Sequence, residues 1–430
     1  MNLLNKLTVW QKLALLVAML GTPIALLTYL LVAEKNQAIN FAHQEIRGVH
    51  YLRPARELLQ HLAEHRGMSV AFLSGDASFR EKMAAKQSQL ADDIKVIDAA
   101  DAQYGGPLDS TRMWQAIKAD WQDLSTSVFK LTAPDSFERH AALIDKLLVL
   151  VAHVGNTSNL VLDPDLDSYS LMDVTVNRIP FLAEHLGQLR GTASGIVARR
   201  QISEGDHVRL AKSLGQLEMM QKSVQSSLDT AFAHNPSLKP VLGAQKEALA
   251  EPISALMAIV EQLARSEQVD AALSPSTVFA AGTKAIETGF ALYDAASPAL
   301  NELLQSRIAR LERNKYTTLA ATLVFVGLAL LLAHGIIRAV VRSLQQARQV
   351  AQNLAAGELD RTIAITTRDE VGQLLGALET TQHKLKGIVA EISTATDTVS
   401  SAAGEIAQGS GDLAQRTEEQ ASALEETAAS

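Results

Sequence analysis

The chain has no cysteine, which removes disulfides, thiolate chemistry and cysteine-based zinc sites together. Aromatic residues make up only 4% and prolines number 11 among 430 positions, while Ala, Leu, Gln and Glu abound. That balance points to helices rather than sheet, and no sustained apolar/polar alternation of the strand kind occurs. Gly-x-Ser-x-Gly, His-Glu-x-x-His, Walker A and Gly-rich nucleotide loops are all missing from the sequence, so neither catalysis nor a cofactor is expected. A net charge of -8 without a basic stripe argues against a nucleic-acid partner. Among the 11 histidines, His61 and His65 share a helical face, yet no third ligand accompanies them and no metal site is expected.

What the chain does have is two long runs without charge. Leu13 to Ala33 lies between Lys12 and Glu34, and Tyr316 to Ile337 lies between Lys315 and Arg338. Twenty-one residues of helix span roughly 30 Å, enough for a hydrocarbon core. Lys6 and Lys12 precede the first run, and Arg338, Arg342 and Arg348 follow the second. Basic flanks stay inside, so both termini are expected in the cytoplasm of a two-pass protein of the bacterial inner membrane. The expected order is a cytoplasmic N-terminus 1–12, a first span 13–33, an outer domain 34–315, a second span 316–337, a relay 338–388 and a coiled coil from 389. His334 falls about one turn from the cytoplasmic end of the second span and is expected to snorkel to the interface.

The outer domain reads as all-α. Helical spacing is present in 56–73, 79–99, 111–131, 137–162, 171–199, 206–233, 254–265 and 275–311. Breaks are expected at Gly105-Gly106-Pro107, Ala133-Pro134-Asp135, Asp163-Pro164-Asp165 and His234-Asn235-Pro236. About eight helices suit one long bundle or two stacked four-helix bundles. An imperfect repeat relates two stretches: Leu62-Ala63-Glu64-His65 runs straight into Arg66-Gly67, and Leu182-Ala183-Glu184-His185 precedes Arg190-Gly191 by one turn. An arginine on an apolar-faced helix, beside a glycine that admits another backbone, suits bidentate capture of a small anion. An ordinary salt bridge with a nearby glutamate explains each arginine equally well. Asp163, Asp165 and Asp167 invite a calcium loop, but the loop glycine and distal glutamate of an EF-hand are lacking and a capping turn is expected.

The Glu-His-Arg-Gly stretch and its surroundings resemble the nitrate- and nitrite-sensing domain, a helical periplasmic module with paired arginines. The resemblance implies Arg66 and Arg190 as ligands of a small anion; a two-module helical sensor of organic acids is a competing likeness. Beyond the second span, Gly357-x-Leu359 and then Asp369-Glu370-x-Gly372 resemble a HAMP relay, whose two helices form a parallel four-helix bundle in the dimer. The proline usual in that family a few residues after the span is Ser343 here.

Two acidic pairs, Glu418-Glu419 and Glu425-Glu426, recur seven residues apart, a spacing that returns side chains to one face of a supercoiled helix. This segment resembles the methylation helix of methyl-accepting chemotaxis proteins, in which the second carboxylate of each pair is esterified. The resemblance implies Glu419 and Glu426 as modified positions, a homodimer, and a methyltransferase and methylesterase as partners. It also implies a hairpin tip that docks a histidine kinase and coupling protein. That tip is not in this sequence, so the chain is expected to be a truncation or a piece of a longer receptor, unable to activate the kinase alone. Sharing the span-and-relay layout, the sensory half of a membrane histidine kinase or diguanylate cyclase is the alternative, and a structural membrane coiled coil is a third.

Overall fold

A computed structural model describes residues 4–429. Among them the elements are α-helices with short 3-10 turns and one π-turn, and no strand occurs. In chain order the helices are α1 (Val9–Leu73), α2 (Phe79–Leu108), α3 (Thr111–Ser127), α4 (Ala133–Thr157), α5 (Leu166–Met172), α6 (Ile179–Arg199), α7 (Glu204–His234), α8 (Lys239–Arg265), α9 (Pro275–Ala355) and α10 (Glu370–Ala429). Two compact units emerge: Leu30–Thr318, and the segments up to Tyr29 and from Leu319 onward.

The first unit is a helical bundle with one large apolar core. Leu58, Leu59 and Leu62 of α1 join Trp114 and Trp121 of α3, Leu147 and Val151 of α4, Leu182 and Leu186 of α6, and Phe290 and Leu300 of α9. Local chemistry sets the helix ends. Thr132 caps α4, its hydroxyl accepting from the Asp135 amide at 3.2 Å, with Pro134 in the first turn. Ser203 and Asp206 form a reciprocal capping box at the start of α7. The break expected at Gly105-Gly106-Pro107 comes slightly later. Helix α2 continues to Leu108 and closes at Asp109, whose φ is 50°. Pro107 lies in the last turn, where its missing N–H costs a single intrahelical bond. Helix α8 starts at Lys239 rather than near Ser254. Its buried face, Leu242, Leu249, Ile253 and Leu256, runs straight through Pro252, so packing outweighs the proline.

Between α5 and α6 the chain makes a π-turn over Asp173–Arg178. Pro180 follows directly and has no N–H to offer, and Asp173 fastens the widened turn by accepting from Asn177, Arg178 and Ser227 at 3.0, 2.9 and 2.7 Å.

In the second unit, α1 and α9 each contain a stretch long and apolar enough to cross a membrane. Side chains there face outward instead of filling a protein core: Leu27 is 65% exposed and Phe325 71%. A soluble core helix would show the opposite pattern. The connector 356–369 between α9 and α10 packs locally, with Ile363 buried beside Ala347 and Leu375.

Candidate functional site

Helix α1 carries Arg66 into the core of the first unit, and α6 carries Glu184 and Arg190 to the same place. Arg66 donates to both carboxylate oxygens of Glu184, at 2.6 and 3.0 Å, and both side chains are almost fully buried. A bidentate pair of this kind is strong and directional. Gln188 donates to the same carboxylate at 2.7 Å.

Arg190 is as deeply buried, at 4% exposure, but its environment differs. Its one hydrogen bond among the described residues runs from Nη1 to the Thr283 hydroxyl of α9, at 2.8 Å. No carboxylate comes within ion-pair range. Glu184 is engaged with Arg66, and the nearby Glu64 holds Lys86 at 2.5 Å and accepts from Gln60 at 2.8 Å. Burial, and then the positive charge of Arg66, push the Arg190 guanidinium down to about 10. The cluster therefore holds one neutralised and one unneutralised guanidinium side by side.

Phenyl rings cover both groups. The Arg66 guanidinium lies 5.0 Å from the centre of Phe137 in α4, and that of Arg190 lies 4.4 Å from Phe279 in α9. Two glycines make room for the side chains. A Cβ on Gly187 would come within 2.7 Å of Arg66 Nη2, and one on Gly282 within 2.7 Å of the Arg190 Cβ. Arg190 also passes close to Gly67, the residue after Arg66.

Beside Arg66, two histidines form a buried neutral pair. His140 Nδ1 lies 2.7 Å from the Ser136 carbonyl, which can only accept, so Nδ1 carries the proton and Nε2 accepts. His65 Nδ1 then donates to it at 2.7 Å. Burial first of all lowers both, to about 3 for His65 and about 4 for His140, so neither adds charge near neutral pH. His61 pairs instead with Asp93 at 2.6 Å, so the two histidines suggested by i, i+4 spacing have separate partners.

The two halves of the sequence repeat do different work. Glu184 takes Arg66, whereas Glu64 takes Lys86; His185 Nε2 donates to the Ser213 carbonyl at 3.1 Å. Spacing gave no sign of Glu184 as the partner of Arg66, nor of Phe137, Phe279 and Thr283. The acidic loop forms a local turn, in which Asp163 Oδ1 accepts from the Asp165 amide at 2.9 Å and the Ser168 hydroxyl at 3.0 Å, but Asp165 at the start of α5 makes no side-chain capping bond.

The relay residues also have local reasons. Gly357 adopts φ 81°, a region that glycine enters freely. Asp369 accepts from the Gly372 amide at 3.0 Å and caps α10, a bond that holds its carboxyl below the usual range. Glu370 stands in the first turn of that helix. A Cβ on Gly372 would lie 2.0 Å from the Thr367 carbonyl oxygen, whereas one on Gly376 would only touch Ile365 at 3.7 Å. Gln382 donates to the Leu359 and Arg361 carbonyls, both at 2.8 Å, and pins the connector. Gly372→Ala is therefore expected to loosen the connector, costing about 1–3 kcal/mol as overpacking does. Amide hydrogen exchange over 358–372 should rise, and Gly376→Ala should leave it unchanged. Glu419 and Glu426 lie on exposed turns of α10.

Residues 57–305, more than half of the chain, match the family described as nitrate and nitrite sensing. The chain belongs to that nitrate and nitrite sensing family. Residues 335–387 match the HAMP domain. With its two apolar helices, the chain is a sensory transmembrane signalling protein. A solved structure titled "Structure of the NasR transcription antiterminator" is similar in fold, with a TM-score of 0.50 and 15% identity over 82% of this chain and 93% of that one. Among curated proteins no match was found. Within the sensing domain, the arginine cluster lies inside the matched residues, joining α1, α4, α6 and α9.

Proposed function

We propose that this chain is a homodimeric chemoreceptor of a bacterial inner membrane, with both termini cytoplasmic and no catalysis of its own. It binds a small planar oxyanion, nitrate or nitrite, at Arg66 and Arg190. The observation that carries the ligand reading is the buried, unneutralised charge of Arg190 next to an arginine already satisfied by Glu184. A small anion answers that charge with short N–H···O bonds and needs little room. The family's description adds its weight to nitrate and nitrite over organic acids.

The geometry of the sensor supports a route for the signal. Arg190 on α6 bears directly on Gly282 and Thr283 of α9. An anion drawn between the arginines changes how α6 seats on α9, and α9 contains the second apolar stretch and the first relay helix. A small shift of one packed helix past another is the usual scale of such a response. In this reading the relay converts the shift into altered packing of the helix beyond Glu370.

At the far end, Glu419 and Glu426 are the proposed adaptation sites, esterified by a methyltransferase and restored by a methylesterase. Esterification removes negative charge from one helix face and biases the same two-state element that ligand biases. The kinase and coupling protein would engage a hairpin tip beyond this sequence. Supplying a chemotaxis methyltransferase and labelled methyl donor should give base-labile incorporation, lost in the Glu419→Gln, Glu426→Gln double variant. Incorporation that survives in the double variant would remove these two positions from the account. A histidine-kinase or cyclase domain in the gene downstream of codon 430 would instead favour the second reading, the sensory half of such an enzyme.

A further inference from the structure

A second charged cluster sits in the sensor, about 21 positions along α1 from Arg66, or roughly 30 Å of helix. Arg307 of α9 is its centre. Its Nη1 donates to Glu45 of α1 at 3.0 Å, its Nη2 to Asp163 at 2.5 Å, and its Nε to Asp165 at 2.8 Å, the last two in the loop before α5. Asp165 is also met by Arg310 at 3.2 Å and is partly exposed. Those two arginines and three carboxylates leave an imbalance deep inside. With Asp165 assigned to Arg310, one guanidinium faces two carboxylates, Glu45 and Asp163, whose side chains are fully buried.

The oxygens show the same imbalance. Glu45 Oε1 and Asp163 Oδ2 are both buried and neither has a hydrogen-bond partner. Two lone acceptors cannot satisfy each other, since each needs a donor. The Ser168 hydroxyl is already committed to Asp163 Oδ1. A metal cation is a poor answer beside a guanidinium, and no group of three metal-ligating side chains occurs among the described residues. One proton supplies a donor and cancels the surplus charge in one step.

We propose that Glu45, Asp163 and Arg307 form a proton-binding clasp that joins α1 to α9 and loosens when its proton leaves. The site stands independently of which anion the sensor binds. Glu45 is its main proton holder: burial, and next the charge of Asp163, push its carboxyl up to about 8 despite the opposing pull of Arg307. Burial likewise raises Asp163. The charged groups facing Glu45 are Arg307 from α9 and Asp163 and Asp165 from the loop. A cleft of about 600 Å³, lined by Asp165, Ser168, Arg307 and Arg310 among others, lies against the clasp and gives buffer a path to it.

The sign follows from proton counting. Between the unfolded carboxyl value of 4.5 and the folded value of about 8, the closed clasp binds more protons than the open chain. Its stability is therefore full below that window, falls as pH rises through it, and is flat above. Above about 8 the clasp holds two carboxylates against one guanidinium. Since α1 and α9 also contain the two apolar stretches, the proton tunes the contact between the helices through which any outer signal must pass.

Infrared difference spectroscopy of the full chain in lipid nanodiscs, titrated through pH 8, tests this. The native chain should lose the carbonyl band of one protonated carboxyl, and amide protection factors, corrected for the intrinsic pH dependence of exchange, should fall at Glu45 and 158–168 together with that loss. Glu45→Gln keeps the shape and the neutral state, so it should abolish the band and make the protection factors independent of pH. Asp163→Asn removes a charge that raises Glu45, and the transition should move to lower pH. The proposal is overturned if the native chain shows no such band near neutral pH, if Glu45→Gln retains it unchanged, or if Asp163→Asn leaves the midpoint where it was.

Discussion

Replacing Arg190 by methionine is expected to leave the anion-free chain at least as stable as the native one while removing its response to anion. The first half follows from burial without a counter-charge. Arg190 is 4% exposed, has one neutral hydrogen-bond partner, and lies beside a second arginine. A methionine of similar reach keeps the contacts with Phe279 and Gly282 and removes the cost of holding a buried charge. The second half follows from what the charge is for. Truncating one member of a buried, hydrogen-bonded charge pair costs about 2–5 kcal/mol of binding. That is roughly 30-fold to 4,000-fold in affinity at 1.4 kcal/mol per decade. Thermal melting of the full chain with and without nitrate measures both. A variant that melts well below the native chain without anion would show that Arg190 is a structural group.

Glu184→Ala should do the reverse. Its carboxylate neutralises Arg66 through two hydrogen bonds at 2.6 and 3.0 Å in a nearly solvent-free setting. Breaking a buried pair by removing one partner costs about 3–5 kcal/mol, because the remaining charge is stranded. Here the stranded charge has Arg190 as its neighbour, so the loss should fall at the upper end of that range. The prediction carries its own control. Added nitrate should recover part of the lost stability, because an anion can stand where the carboxylate stood, and chloride-free buffer should deepen the defect. A Glu184→Ala chain that melts like the native one would mean that the Arg66 pair contributes nothing.

The opposite behaviour of the two arginines marks the limit of what the sequence made legible. The repeated Arg-Gly pairs drew attention to Arg66 and Arg190 because a cation on an apolar face is unusual, and that signal is local. Whether each is paired depends on side chains far off in the chain. Glu184 is 118 positions from Arg66, and Thr283 is 93 from Arg190, so spacing along one helix carries no trace of either contact. The all-α class was legible for the same reason that the contacts were not: helical periodicity is a short-range pattern, satisfied within a few turns. The limits of α2 and α8 differ from the expected ones because packing over a whole face outweighed the missing N–H of Pro107 and of Pro252. The Arg307 clasp had a faint signal. Glu45 and Arg307 interrupt otherwise apolar faces of α1 and α9, close to Ala42, Val49, Leu304 and Ile308. The relay glycines were legible since Gly357 and Gly372 answer to local backbone.

The sensor contains two charged layers shared by α1 and α9, the Arg66–Arg190 cluster and the Arg307 cluster, tied together by the α5–α6 segment. Arg190 binds that segment to α9 near Thr283, and Asp163 binds its start to Arg307. In the proposed function the Arg66–Arg190 layer takes a small planar oxyanion. Isothermal calorimetry of the full chain in nanodiscs, titrated with nitrate, nitrite and a small dicarboxylate, tests it most directly. Saturable binding of nitrate or nitrite, lost in Arg190→Met and with no heat from the dicarboxylate, is the predicted result. Tight dicarboxylate binding, or nitrate binding that survives in Arg190→Met, would contradict it.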